Sequence, residues 1–242
     1  MAESSEHVLI VGGSSGMGLA LAARLLSGGG TVTIAGRSAD RLAAACETLD
    51  AGTRLRTVAV DITRDPDVER LFASVGVVDH IVSTAADVSG VYVPLADLDI
   101  SNARRAIDSK VVGPLLLAKH GAPRLKPGGS ITFTSGIAAY RPAPKGSVVA
   151  SINGAIESLV YALAVELAPI RVNAVSPGWV DTPIWTSVAG DDKDALLAAM
   201  ARRLPVGRIG KPDDIALALE SVMRNGFISG SVVHVDGGQR LI

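Results

Sequence analysis

Cysteine is nearly absent. Cys46 stands alone in 242 residues, so no internal disulfide forms and the chain fits a reducing compartment. Neither sign of charge is in excess: 23 Lys and Arg against 24 Asp and Glu leave a formal net charge of −1. That removes the electrostatic case for nucleic acid or an anionic membrane as a partner. No window offers the ~18 uninterrupted apolar residues of a membrane span. The best, residues 155–168, is broken by Glu157, Ser158 and Glu166. The start, MAESSEH, lacks the basic opening and apolar middle of a signal peptide. His7, His80, His120 and His234 are scattered without metal-ligand spacing, and His80 reads as a satisfied core or strand-end histidine. There is no internal repeat, low-complexity tract or linker. A soluble, cytoplasmic, metal-free single domain acting on a small molecule is expected.

What is present begins with His7 to Leu19, HVLIVGGSSGMGL. An apolar run, Val8 to Val11, bounded by glycines is the signature of a buried parallel strand. Gly12, Gly13, Gly16 and Gly18 let the backbone turn sharply and come close to a bound group. The helix that follows points unpaired N–H groups and the positive end of its dipole at that place, which suits a pyrophosphate.

Beyond the loop the chain alternates. Helix is expected over about 17–26, 40–49 (Asp40 as N-cap), 65–75 (Asp65 as N-cap before Pro66), 101–119, 147–168, 194–203 and from 212. Strands are expected over about 31–35, 56–60, 80–83, 130–134, 170–175 and 231–235, with a less regular stretch over 179–192. Strands separated by helix-length segments give an α/β fold: a doubly wound parallel sheet of about seven strands with helices on both faces. Ligands of such sheets bind beyond the carboxyl ends of the strands, where every motif here lies.

In their order and spacing these motifs resemble the short-chain dehydrogenase/reductase family, the single-domain Rossmann oxidoreductases. The resemblance rests on Gly12-Gly13-Ser14-Ser15-Gly16-Met17-Gly18, on Asp61-Ile62-Thr63, and on Ile170-Arg171-Val172-Asn173-Ala174-Val175-Ser176-Pro177-Gly178. It extends through Arg208-Ile209-Gly210-Lys211-Pro212-Asp213-Asp214, Ser229-Gly230 and Val235-Asp236-Gly237-Gly238. It implies one domain over residues 1–242, with a mobile substrate-loop segment over about 179–205. It also implies a nicotinamide cofactor, with Gly12, Ser14, Ser15, Gly16, Met17 and Gly18 around the phosphates. Asp61 and Ile62 would flank the adenine, Ala85 would lie in the turn after the fourth strand, and Pro177, Gly178, Val180 and Thr182 would border the nicotinamide. A carboxylate at the end of the second strand would bond the ribose of NAD. That place holds Gly36, then Arg37 and Ser38, which favours NADP(H) over NAD(H); a solvated Arg37, or one stacked on adenine, is the competing reading. The family's dimers and tetramers imply a homodimer or homotetramer, which apolar stretches over 111–118 and 159–165 permit.

The family's chemistry uses a tyrosine, a lysine four residues on, a serine and an asparagine. Ser135 takes the serine's place. Anchored on Glu157, Glu166 and Pro169, the register puts Val149 where the tyrosine belongs and Asn153 where the lysine belongs. Lys110 takes the asparagine's place, and Thr84-Ala85-Ala86 replaces an Asn-Ala-Gly turn. Valine cannot donate a proton, and a positioned general acid is worth roughly 10²–10⁴ in rate. Lys110 is the candidate replacement cation, against a solvent-facing or interface lysine. Asn153 is a candidate for the ribose hydroxyls, against a plain helix asparagine. Tyr140 and Lys145 are candidate donors from a loop, with packing the alternative for Tyr140. Trp179 and Trp185 would wall the substrate, unless they only pack. An atypical NADP(H)-dependent oxidoreductase is expected, acting on a small carbonyl, enone, quinone or imine-type substrate. An NADP-binding scaffold or sensor and a non-redox cyclase or isomerase are the competing expectations.

Overall fold

A computed structural model describes residues 6–242; residues 1–5, part of the start on which the leader argument rests, lie outside them. Seven parallel strands form one sheet: β1 (His7–Val11), β2 (Thr31–Gly36), β3 (Leu55–Ala59), β4 (Val78–Ser83), β5 (Leu125–Thr134), β6 (Arg171–Pro177) and β7 (Val232–Val235). Their order is β3-β2-β1-β4-β5-β6-β7. The direction of winding reverses between β1 and β4, which opens a crevice there. β1 is apolar from Val8 to Val11 because helices cover both faces and leave these side chains at most 1% exposed.

On one face lie α1 (Gly16–Ser27), α2 (Ala39–Leu49) and α9 (Pro212–Arg224), whose core includes Leu21, Leu25, Leu42, Ile215 and Leu219. On the other lie α3 (Asp65–Val75), α5 (Gly113–Gly121) and α6 (Ser147–Glu166), packed through Leu71, Phe72, Leu117, Ile156 and Val160. A smaller cluster joins α4 (Ile100–Ile107) to the first turns of α6 through Ala103, Ala106, Val148, Val149 and Ile152. Among the described residues, α6 is the one helix whose length and mean hydropathy of 1.7 suffice to cross a membrane. It is instead a core helix of this sheet, with Asn153 and Glu157 buried on it.

Several expectations are corrected. Ser38, not Asp40, caps α2: its Oγ accepts from Arg41 N at 3.3 Å, and Asp40 falls in the first turn. Arg64 precedes α3, so Asp65 lies inside the helix beside its positive end. The single helix expected over 101–119 is interrupted by a π-helical turn, Asp108–Val112. Pro114 is the cause: it has no N–H for the Lys110 carbonyl, and its ring crowds that same carbonyl. The stretch read as irregular over 179–192 contains α7 (Ile184–Ala189), followed by α8 (Lys193–Ala201). β5 starts five residues before the expected position 130, because Leu125 pairs with Val78 across a bulge.

The family-like motifs at the chain's end have structural duties. Arg171 donates to the Met223 carbonyl at 2.6 Å and to that of Val222 at 3.3 Å, closing the last turn of α9. Asn173 holds Ile228 O and Ser231 N, fixing the approach to β7. Asp214 accepts twice from Arg208 and once from Lys211 N, and the Arg208 guanidinium holds its carboxyl down at about 2.

Candidate active site

The glycines at the end of β1 are demanded by contact. A Cβ on Gly18 would lie 2.3 Å from Gly12 O, and one on Gly12 would lie 2.7 Å from Thr84 Oγ1 and 2.8 Å from Ala85 N. Gly12 and Gly16 also have φ of +87° and +52°. The loop is therefore pressed against the turn after β4, and Thr84 donates to Gly12 O at 3.2 Å and reaches Val11 O. Ser15 precedes α1 in extended conformation, and its side chain makes no capping bond. Thr182 and Pro183 reach this loop from beyond β6: a Cβ on Gly16 would meet Thr182 Cγ2 at 3.4 Å. Gly12, Ser14, Ser15, Gly16, Met17, Gly18, Ala85 and Thr182 are thus brought around one place.

Gly178 packs on Asp236, where a Cβ would meet backbone at 2.7 Å. Val180 is buried and bridges to Gly210. Trp185 donates to Val180 O at 2.8 Å and packs on Trp179, so the two tryptophans brace the segment after Pro177. On the other side of the crevice, Asp61 Oδ1 accepts from Thr63 N and Oγ1, and Ile62 fills the space left by Gly113. Arg37 Nη1 meets Asp87 Oδ2 at 2.9 Å. As a cap, Ser38 uses a lone pair and keeps its hydroxyl proton free to donate.

Past the end of β5, Ser135 Oγ donates to Glu157 Oε1 at 2.6 Å and lies 3.2 Å from Asn153 O. Tyr140 Oη donates to Glu157 Oε2 at 2.5 Å. Both carboxylate oxygens of a buried Glu157 are thus acceptors, and two of the expected site residues meet through it. Burial and then the bond to Glu157 push the Tyr140 phenol above its ordinary range, so its proton is held rather than offered. Its ring packs edge-on against His234 at 4.5 Å. The Asn153 amide rests on the turn at Gly136, where a Cβ would meet its Nδ2 at 2.7 Å. Val149, one turn earlier on α6, is buried.

Lys110 is brought inward by the π-helical turn. It is 7% exposed, and Nζ donates to Thr134 Oγ1 at 3.2 Å, one residue before Ser135. Burial alone lowers its ammonium to about 8, so the interior reading holds over the solvent-facing one. Lys145, the other loop candidate, is exposed. Thr134 had no role in the sequence reading, where Glu157 served only as a register anchor and Thr84 only as part of the turn after the fourth strand. Glu157 carried a signal: positions 149, 153 and 157 repeat every four residues, so a carboxylate shares the face of the two expected site positions.

The profile described as enoyl-(acyl carrier protein) reductase matches residues 11–240. The short-chain dehydrogenase/reductase malC of Malbranchea aurantiaca is 34% identical, over 98% of this chain and 95% of its own. This chain belongs to the short-chain dehydrogenase/reductase family. Cis-4-hydroxycyclohexanecarboxylate dehydrogenase of Sinomonas cyclohexanicum, also 34% identical over 97% of this chain and 96% of its own, is a further short-chain relative. Among solved structures, a small-chain dehydrogenase in complex with NADPH superposes with a TM-score of 0.86 at 36% identity, covering 99% of this chain and 100% of that one. The MalC reductase/Diels-Alderase from Malbranchea aurantiaca superposes at 0.89 with 32% identity, covering 98% and 96%. The fold and the oxidoreductase class of this short-chain dehydrogenase/reductase rest on these likenesses together with the sheet order.

Proposed function

We propose that the protein is an atypical NADP(H)-dependent oxidoreductase that moves a hydride without a tyrosine acid. The observation that carries this reading is the pairing of an intact glycine cradle with Val149 and Asn153 on α6. On the family register these two stand for the tyrosine and the lysine. A nicotinamide bound in the cleft would supply or accept the hydride. Gly12, Ser14, Ser15, Gly16, Met17 and Gly18 would hold its phosphates and Pro177, Gly178, Val180 and Thr182 its ring end, while Asn153 would bond ribose hydroxyls. Gly36 leaves the end of β2 without a carboxylate and Arg37 follows it, which supports NADP(H) over NAD(H). The likeness to a small-chain dehydrogenase complexed with NADPH points the same way.

Ser135 commits its proton to Glu157 and turns lone pairs toward any other neighbour. A hydroxyl used this way suits an N–H donor better than a carbonyl oxygen. Without a tyrosine acid, preferred acceptors are those whose product is stable before protonation: iminium ions, quinones and conjugated enones, of which the iminium ion presents Ser135 with no carbonyl oxygen. A simple ketone needs a proton, and Lys110, with its ammonium at about 8, is the residue equipped to give it. The test is oxidation of NADPH across a panel of iminium salts, quinones, enones and matched ketones. Ketone turnover at least equal to iminium turnover, unaffected by Lys110→Ala and Tyr140→Phe, contradicts the reading.

The likeness to a reductase/Diels-Alderase favours a second reading, ring formation or isomerisation in the same cleft. Turnover of substrate without net cofactor oxidation is its mark. The single free cysteine supports a reducing, cytoplasmic location. A homodimer or homotetramer is proposed through α5 and α6, which expose Leu115, Tyr161 and Val165.

A further inference from the structure

The sheet order places β1 between β2 and β4, and the glycine loop leaves β1 in the gap. Arg37 follows β2, and Asp87 lies four residues beyond β4. Their 2.9 Å ion pair therefore crosses the crevice above the end of β1, on the track of any dinucleotide held by that loop. A third group joins it: Arg105 of α4 brings Nε to 3.4 Å from the same Asp87 oxygen while Nη2 donates to Ser89 O at 2.8 Å. The Asp87 carboxylate is fixed from behind, since its own N–H donates to Ser109 Oγ and Ser89 N donates to its other oxygen. It is 9% exposed, whereas Arg37 and Arg105 are 58% and 42% exposed. Beside them opens a cavity of about 340 Å³ lined by Arg37, Asp61, Thr63, Arg104, Arg105 and Asp108, among others.

One carboxylate oxygen serves two guanidiniums, which uses only a minority of their N–H donors, and both arginines line the cavity. A phosphate monoester dianion offers more charge and three acceptor oxygens, and it matches paired guanidiniums better than a shared carboxylate does. We propose that Asp87 is a built-in counter-ion occupying Arg37 and Arg105 in place of the 2′-phosphate of NADP(H), and that Arg105 is the second guanidinium binding that phosphate. The proposal rests on the NADP(H) reading and deepens it. On binding, the phosphate takes both arginines and Asp87 is left as a repelling neighbour. The carboxylate therefore costs NADP(H) affinity, while NAD(H), with no 2′-phosphate to exchange, is indifferent to it.

Calorimetric titration of the full-length protein tests this, with NADPH, NADH, 2′,5′-ADP and 5′-ADP as ligands. Losing one charged contact is expected to weaken binding about ten-fold. Arg105→Ala should therefore weaken NADPH and 2′,5′-ADP about that much and leave NADH and 5′-ADP within about two-fold, with Arg105→Lys recovering part of the loss. Asp87→Asn keeps an acceptor for Ser89 N and should tighten the two 2′-phosphorylated ligands, NADPH and 2′,5′-ADP, several-fold, again without effect on the others. Circular dichroism melts confirm that each variant is folded. Arg37→Ala separates the two claims. If it leaves the NADPH-to-NADH ratio unchanged, the NADP(H) reading itself fails. If it collapses the ratio while Arg105→Ala and Asp87→Asn do not move it, the counter-ion proposal is overturned and the NADP(H) reading stands.

Discussion

Lys110 is placed at a cost. Its ammonium is buried beside the Thr134 hydroxyl, and burial brings its ionisation from 10.5 to about 8. The folded chain binds that proton less tightly than the unfolded one. The penalty is therefore complete below about pH 8 and relieved as pH rises through 10.5. The shift corresponds to about 3 kcal/mol. Lys110→Met should accordingly raise stability at pH 7 by up to that amount in denaturant melts, and flatten the gain that wild type shows between pH 8 and 10.5. A loss of stability at pH 7 contradicts the account. Wild-type reduction of proton-requiring acceptors should fall above about pH 8. A buried amine bonded to Thr134, one residue before Ser135, is the kind of perturbed group that marks a site candidate.

Much of this site was legible residue by residue. Gly12, Gly16 and Gly18 announce the cradle because only glycine fits the backbone there, and Ser135 is placed by the strand it ends. The meeting of Ser135 and Tyr140 on Glu157 was not legible. It depends on how the loop over residues 136–146 folds back on α6, and the spacing of three residues along a chain does not encode that.

At the scale of elements, the glycines separate into those that contact requires and those that space merely permits. Gly18 holds α1 against the end of β1, and a methyl there would strike Gly12 O. Gly18→Ala should cost about 1–3 kcal/mol by overpacking and weaken dinucleotide binding together with stability. Gly154, inside α6, has open space around its would-be Cβ. Gly154→Ala should stabilise by about 1 kcal/mol through helix propensity. Both are read from urea midpoints, and reversed signs would refute the packing assignment. Element type followed from periodicity nearly throughout, whereas ends were displaced by tertiary demands. Ser38 displaced Asp40 as the cap of α2, and Pro114 broke one expected helix into α4, a π-helical turn and α5. That break turns Lys110 inward, so a local proline rule reaches as far as the chemistry.

At the scale of the molecule, the parallel sheet and its crevice followed from alternation alone, because right-handed crossovers leave few topologies open. The ion pair across the crevice did not, since Arg37 and Asp87 are fifty residues apart in sequence and meet only through the strand order. The outward apolar positions on α5 and α6 are a whole-molecule feature too. Val165 is 80% exposed and Tyr161 51%, which predicts self-association. Sedimentation velocity should give a dimer or tetramer at micromolar concentration, and Val165→Glu should shift it toward monomer without lowering the melting temperature of the fold by more than a few degrees. A wild-type monomer contradicts the assignment of that face.

The central claim is that the nucleotide floor is whole while no tyrosine acid serves it. Single-turnover mixing of the NADPH-loaded protein with an iminium salt and with its isosteric ketone, from pH 6 to 9, tests it most directly. The account predicts an iminium rate that is flat with pH and a ketone rate that is far slower and falls above about pH 8. Equal rates for the two acceptors, retained in Lys110→Met, would contradict it.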